Sequence, residues 1–215
     1  APNDPATNYL RALAAYQLKD YTNAKTHAEL ALRSAPGHRP SMFIAGAANF
    51  ALTQYEQAYR HMNLFVTEVP NNIEARKLLA ATQIRMGQSD KAVNNLRQAA
   101  GKGGSEDAQL LAMIGAASAQ AGDYKAGTGY FARAVAQNPG DVALRTRLGT
   151  TQIALGATEE GIGELEKAAE ADEKGNADIA LIIAHLRVKD YDKAIAAAKR
   201  LQEKQPSSPH GFTLA

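Results

Sequence analysis

Three ladders of residues, each stepping by about 34 positions, constrain this chain more than anything else in it. Prolines stand at Pro2, Pro36 and Pro70, each 34 residues after the last. A small residue recurs at Ala24, Ala58, Ala92, Gly127, Gly161 and Ala194, in steps of 34, 34, 35, 34 and 33. Twelve residues earlier run Ala12, Gly46, Ala80, Gly115, Gly149 and Ile182. Fixed-period self-similarity of this length marks an array of small units, each burying its apolar face on its neighbours.

The spacing inside a unit is helical. In the copy from Ala108 to Asp141, Leu110, Leu111, Ile114 and Ala117 line one face, and Tyr130, Phe131, Ala134 and Val135 line another. No strand-like alternation persists. Each copy therefore reads as two helices of about 13 residues, each about 20 Å long, joined by a tight turn. The units run 5–38, 39–72, 73–107, 108–141, 142–174 and 175–208, forming one array over 1–215, with 209–215 as the start of a further, truncated unit. In the first copy the pattern predicts helices over Asn8–Leu18 and Thr22–Ser34, with Lys19-Asp20-Tyr21 as the turn. Proline closes most units, because it cannot continue a helix. The third copy ends instead in Gly101-Lys102-Gly103-Gly104 and gains a residue, which predicts a looser connection. In the fifth copy Gly161 and Gly163 each cost up to about 1 kcal/mol relative to alanine, which predicts the weakest unit. Both chain ends read as cut from a longer array, since neither offers a polar capping helix.

Composition narrows the function by exclusion. Charges nearly cancel, with 24 Lys+Arg against 22 Asp+Glu, so no basic stripe for nucleic acid is expected. The absence of cysteine removes disulfides, thiolate metal sites and a cysteine nucleophile. No apolar run is long enough to span a bilayer. Gly101-Lys102-Gly103-Gly104-Ser105 resembles a phosphate loop only superficially: the lysine precedes the later glycines and a helix, not a strand, leads into it. His27 and His61, 34 apart, read as two exposed duplicated histidines rather than a metal pair, and His38, His185 and His210 add no ligand pattern. Glu159, Glu160, Glu164 and Glu166 read as a solvated acidic face. No GxSxG or HExxH occurs. The expectation is no enzyme, with no catalytic residue, cofactor or metal.

One constellation points to a partner. Tyr9 and Tyr16 are seven apart, and Phe43 and Phe50 repeat them 34 residues on. Residues seven apart share a helix face, so the four form an aromatic square across two first helices. Such a patch fits either a partner surface or packing between neighbouring first helices. The later rungs of the same face are Lys77 with Ile84 and Ala112 with Ala119, and polar Gln17, Arg85 and Gln120 lie nearby.

Small Gly115, the Gly122-Asp123-Tyr124 turn, Gly127, Phe131, Ala134 and Pro139 resemble the tetratricopeptide repeat family. Tryptophan, usual in that family's first helix, is missing from every copy. The resemblance implies an all-α, right-handed superhelix of six helix-turn-helix units whose first helices form a concave wall that commonly binds peptides. The clamp with which one subgroup grips a C-terminal carboxylate is absent, because Tyr9, Leu13, Phe43 and Ala47 hold its places. The partner residues expected on the concave face are thus Tyr9, Tyr16, Gln17, Phe43, Phe50, Lys77, Ile84, Arg85 and Gln120. More closely, NYLRALAAYQLKDY, ARKLLAATQIRMGQ, ALRTRLGTTQIALG and ADIALIIAHLRVKDYDKAIAAAKRLQEKQP are similar to the long repeat lipoproteins of the bacterial PEP-CTERM/exosortase system (PrsT-like). That similarity implies a periplasmic or outer-membrane-anchored scaffold in exopolysaccharide or envelope assembly, lipid-anchored outside this segment. Two alternatives stay open: a polysaccharide-binding module, and the helper array of an enzyme whose catalytic domain lies elsewhere.

Overall fold

The computed structural model describes residues 4–101 and 107–205. They form twelve α-helices and, among the described residues, no strand. The chain divides into two compact units, Ala1–Ser105 and Glu106–Ala215. In the first unit the helix pairs are α1 (Pro5–Gln17) with α2 (Tyr21–Ser34), α3 (Arg39–Ala51) with α4 (Tyr55–Glu68), and α5 (Ile73–Arg85) with α6 (Ser89–Gly101). In the second they are α7 (Ala108–Gln120) with α8 (Tyr124–Gln137), α9 (Val142–Leu155) with α10 (Thr158–Ala171), and α11 (Asn176–Arg187) with α12 (Tyr191–Lys204). The expectations for the glycine run after Gly101 and for residues 209–215 lie outside the described residues.

One backbone device makes every turn inside a pair. Lys19, Thr53, Gly87, Gly122, Gly156 and Lys189 occupy the same place in successive copies, and all six have positive φ. A left-handed residue there ends the first helix, and the N–H of the next residue folds back to a carbonyl in its last turn, as Asp20 does to Ala15 at 2.9 Å. Glycine takes this conformation without strain in three copies. Thr53, β-branched, is the least suited of the other three. Aspartates then start the second helices: the carboxylates of Asp20, Asp123 and Asp190 accept N–H bonds from Asn23, Ala126 and Lys193.

Caps also move two boundaries from their expected places. The helix α1 begins at Pro5, not Asn8, because the Asp4 carboxylate accepts from the Thr7 N–H at 2.7 Å and Pro5 loses nothing in the first turn. Tyr21, expected in the turn, opens α2, since Asp20 before it is the cap.

The two small-residue ladders are where paired helices cross. A methyl group added to Gly149 would meet the Gly161 carbonyl oxygen at 2.7 Å, and one added to Gly161 would meet the Gly149 carbonyl at 2.6 Å. The two glycines of α10 are therefore not alike. Gly161 is required by the approach of α9, whereas Gly163 has open space around its missing side chain. The expected weakness of this unit thus reduces to one glycine.

Small crossings give an alanine-rich core near α1–α3, formed by Ala12, Ala24, Ala28, Ile44, Ala45 and Ala48. In the second unit the core between α7, α8 and α9 is larger-grained, with Leu111, Phe131, Val135, Leu144 and Leu148. All eight face residues expected for α7 and α8 are buried except Tyr130, which is half-buried.

Candidate functional site

Each of the four aromatics of the square is half-buried and has an edge-to-face partner. Tyr16 meets Tyr21 at 5.5 Å between centroids and Phe50 meets Tyr55 at 5.7 Å, two equivalent contacts across the turns of successive pairs. Burial pushes the Tyr16 phenol above its ordinary value, and Tyr21 adds to it. Tyr9 meets His38 at 5.2 Å and Phe43 meets Phe65 at 5.6 Å. The square accordingly splits. Tyr9 and Phe43 share a groove of about 580 Å³, together with apolar Leu13, Ile44, Phe65 and Val69. Tyr16 and Phe50 are not among its lining residues.

The groove belongs wholly to the first unit. It lies between the middle of α1 and the N-terminal ends of α3 and α5, with Phe65 and Val69 supplied by the end of α4. Its charged lining residues already have partners: Arg39 Nε lies 3.0 Å from Glu68, and Glu74 lies 3.2 Å from Lys77. The apolar stretch is thus bounded by neutralised charges. Phe65 and Val69 escape a reading that looks only along first helices; the signal for Phe65 is a second helix ending its core stripe on a ring.

The other residues expected on the concave face are placed differently. Lys77 is only 8% exposed and spends its charge on Glu74. Ile84 is half-buried, Gln17 and Arg85 are exposed, and Gln120 is exposed in the second unit. None of these five lines the groove.

Two other expectations change. His27 and His61 are half-buried, not exposed; His27 Nδ1 sits 3.4 Å from Asn8 Oδ1. Burial lowers the His61 pKa, with Glu29 opposing and Arg60 and Lys25 reinforcing. Glu164 is no part of a solvated face: it accepts from Arg145 at 2.6 Å and from Lys167 at 3.0 Å. Among the described residues no group of three or more His, Asp or Glu side chains could hold a metal.

A second set of positions escapes sequence reading altogether. Asn8, Met42, Arg76, Leu111, Arg145 and Asp178 share one place in the first helix of successive copies. Met42 and Leu111 fill it with hydrocarbon. Asp178, fully buried, accepts from Arg200 at 2.6 Å and Lys204 at 2.7 Å. Arg145 has Glu164 and the Pro139 carbonyl. Arg76 is 6% exposed, and its partners are all neutral: the Pro70 carbonyl at 2.6 Å, Asn95 Oδ1 at 2.8 Å and Gln98 Oε1 at 3.1 Å. Burial pushes its pKa down. The available signal was a charge at a place that is apolar in two other copies.

Two turns further along the same helices, Asn49, Gln83, Ser118, Gln152 and His185 form another series. Each holds a buried side-chain atom with no hydrogen-bond partner among the described residues. Gln83 lines a cleft of about 450 Å³ between α4, α5 and α6. His185 lines one of about 290 Å³ between α10, α11 and α12.

Comparison with known proteins agrees with this architecture. Three tetratricopeptide repeat profiles match residues 5–38, 77–142 and 118–186, together about two thirds of the chain. No protein with a curated description matches. Among solved structures, PilW, a type IV pilus biogenesis factor, is 16% identical over 97% of each chain, with a TM-score of 0.79. The C-terminal part of a TPR repeat-containing protein from Cytophaga hutchinsonii is 16% identical over 98% of this chain and 87% of its own, with a TM-score of 0.75. YrrB, described as a TPR protein with an unusual peptide-binding site, is 16% identical over 86% of this chain and 96% of its own, with a TM-score of 0.65. At such identities the likeness concerns the fold. Profiles, paired helices and phased small residues agree: the chain belongs to the tetratricopeptide repeat family.

Proposed function

We propose that the protein is a non-enzymatic scaffold that binds a short apolar segment of a protein partner in the groove beside Tyr9 and Phe43. The observation that carries this reading is the groove itself: seven apolar side chains, Pro40 included, around about 580 Å³, with its charged neighbours already paired. An open apolar site of this kind gains affinity by burying a partner's side chains, and two ring edges give it shape. The peptide-binding site named for YrrB supports the same use of the fold. The setting we propose is bacterial exopolysaccharide or envelope assembly outside the cytoplasm, on the PEP-CTERM-like sequence segments described above, with any lipid anchor outside this segment.

The test is selection of a random twelve-residue phage-displayed peptide library on the protein. Selected peptides should be rich in Leu, Ile and Phe, and Val69→Lys should weaken them about tenfold or more, about 1.4 kcal/mol. Tyr16→Ala with Phe50→Ala should leave them bound. Failure to select peptides, or equal loss in the two variants, counts against the groove. Saturable binding of an exopolysaccharide, lost in Val69→Lys, would replace a protein partner by a polymer.

A further inference from the structure

We propose that the cleft between α4, α5 and α6 is a second binding site, for the carboxylate of an acidic peptide segment, and that Arg76 is its anchor. This goes beyond the apolar groove and is independent of it.

The argument starts from an internal comparison. Arg76 and Arg145 hold the same place in their copies, and each sends one guanidinium nitrogen to the carbonyl of a proline six residues earlier. Nineteen residues further along the chain, the facing side chain is Asn95 in one copy and Glu164 in the other. Arg145 therefore has its counter-ion within the protein. Arg76 has none among the described residues: its acceptors are two amides and a main-chain carbonyl. A buried cation satisfied only by neutral dipoles is electrostatically incomplete. Three of its five N–H groups are used, and Nη2 makes no hydrogen bond among the described residues.

The surroundings favour an anion. Lys91 is the only other charged residue lining the cleft, and no acidic side chain does so. Lys91 has no ion-pair partner among the described residues. Val66 and Leu79 give the floor an apolar part, which suits the methylenes of a glutamate and its neighbours better than a bare inorganic ion. The corresponding cleft beside His185 is an internal control. There Lys193 and Arg200 stand where Lys91 and Gln98 do, 102 residues earlier, but Glu166 and Glu170 line the same space. That cleft is balanced, and the first is not.

The experiment measures binding of a fluorescent, N-acetylated, C-amidated peptide of alternating Glu and Leu to the whole protein. Its controls are the Gln-for-Glu peptide, the same Gln peptide with a free C-terminus, and inorganic phosphate as competitor. The Glu peptide should bind at least about tenfold tighter than the blocked Gln peptide, a difference of ~1.4 kcal/mol. Asn95→Glu, which copies Glu164, and Arg76→Met, which copies Met42, should each abolish that preference. Asn95→Glu should also raise Tm, so lost binding cannot be lost folding. Val69→Lys should leave it intact, which separates this site from the apolar groove. Equal binding of the Glu and blocked Gln peptides, or a preference that survives Asn95→Glu, overturns the proposal. Tight binding of phosphate alone would overturn the peptide assignment.

Discussion

Two arginines at one repeat position, Arg76 in the first unit and Arg145 in the second, show what duplication keeps and what it frees. The backbone around them is the same: a first helix, a proline carbonyl behind it and a second helix facing it. One facing side chain differs, and with it the chemistry. Opposite Arg145, Glu164 closes an ion pair with Lys167 beside it. Opposite Arg76, Asn95 leaves a buried charge open to a ligand. A third solution inverts the polarity, with Asp178 inside and the cations Arg200 and Lys204 reaching in. The repeat thus conserves a space, and each copy decides whether to fill it with hydrocarbon, an ion pair or an unfinished site.

The largest effect expected from breaking this pattern is at Asp178. Asp178→Ala leaves two cations facing a buried hole. Because Arg200 and Lys204 keep 36% and 20% side-chain exposure, they can turn to water. The loss should therefore lie at the low end for a broken buried pair, about 3 kcal/mol, read from chemical denaturation. Gly161→Ala should cost about 2 kcal/mol, since the new methyl meets a carbonyl that cannot yield without separating α9 from α10. Glu164→Gln turns Arg145 into a copy of Arg76 and should cost roughly 1–2 kcal/mol. It should also remove an acid-side loss of stability. Burial alone would raise the Glu164 pKa, but bonds and charge from Lys167 and Arg145 hold it lower. Its contribution is therefore present above the ordinary carboxylate range and lost as pH falls through the depressed value, and melting curves against pH should show that step vanish in the variant. Gly163→Ala, two residues from Gly161 but in open space, should stabilise by roughly 0.5–1 kcal/mol.

The smallest expected effect is at His61. Burial keeps this imidazole from charging, so unfolding takes up a proton as pH falls below the ordinary histidine value of 6.5. Stability should decline slightly from there until the folded pKa is reached, and His61→Gln should flatten that slope.

The architecture was legible because its signals are local and repeated. Gly115 with Gly127 and Gly149 with Gly161 announce helix crossings at a fixed spacing, and Pro36 and Pro70 announce the ends. Lys19, Thr53 and Lys189 hid the left-handed turn position, because no glycine marks it there. The site was only half legible. The spacing of Tyr9, Tyr16, Phe43 and Phe50 places four rings on one face, but cannot say that two of them pack across turns while the other two border a groove. That split depends on what second helices contribute, here Phe65 and Val69. Arg76 was invisible for a related reason: its meaning lies in Asn95, 19 residues away on another helix.

The central claim is that partner binding lies on the first helices of the first unit and not on every copy alike. Phe43 and Ala112 occupy the same position in α3 and α7, so a photoreactive benzoylphenylalanine placed at 43 or at 112 tests it directly. With the selected apolar peptides, the account predicts covalent capture at 43 and not at 112. Equal capture at both, or capture at 112 alone, would contradict it.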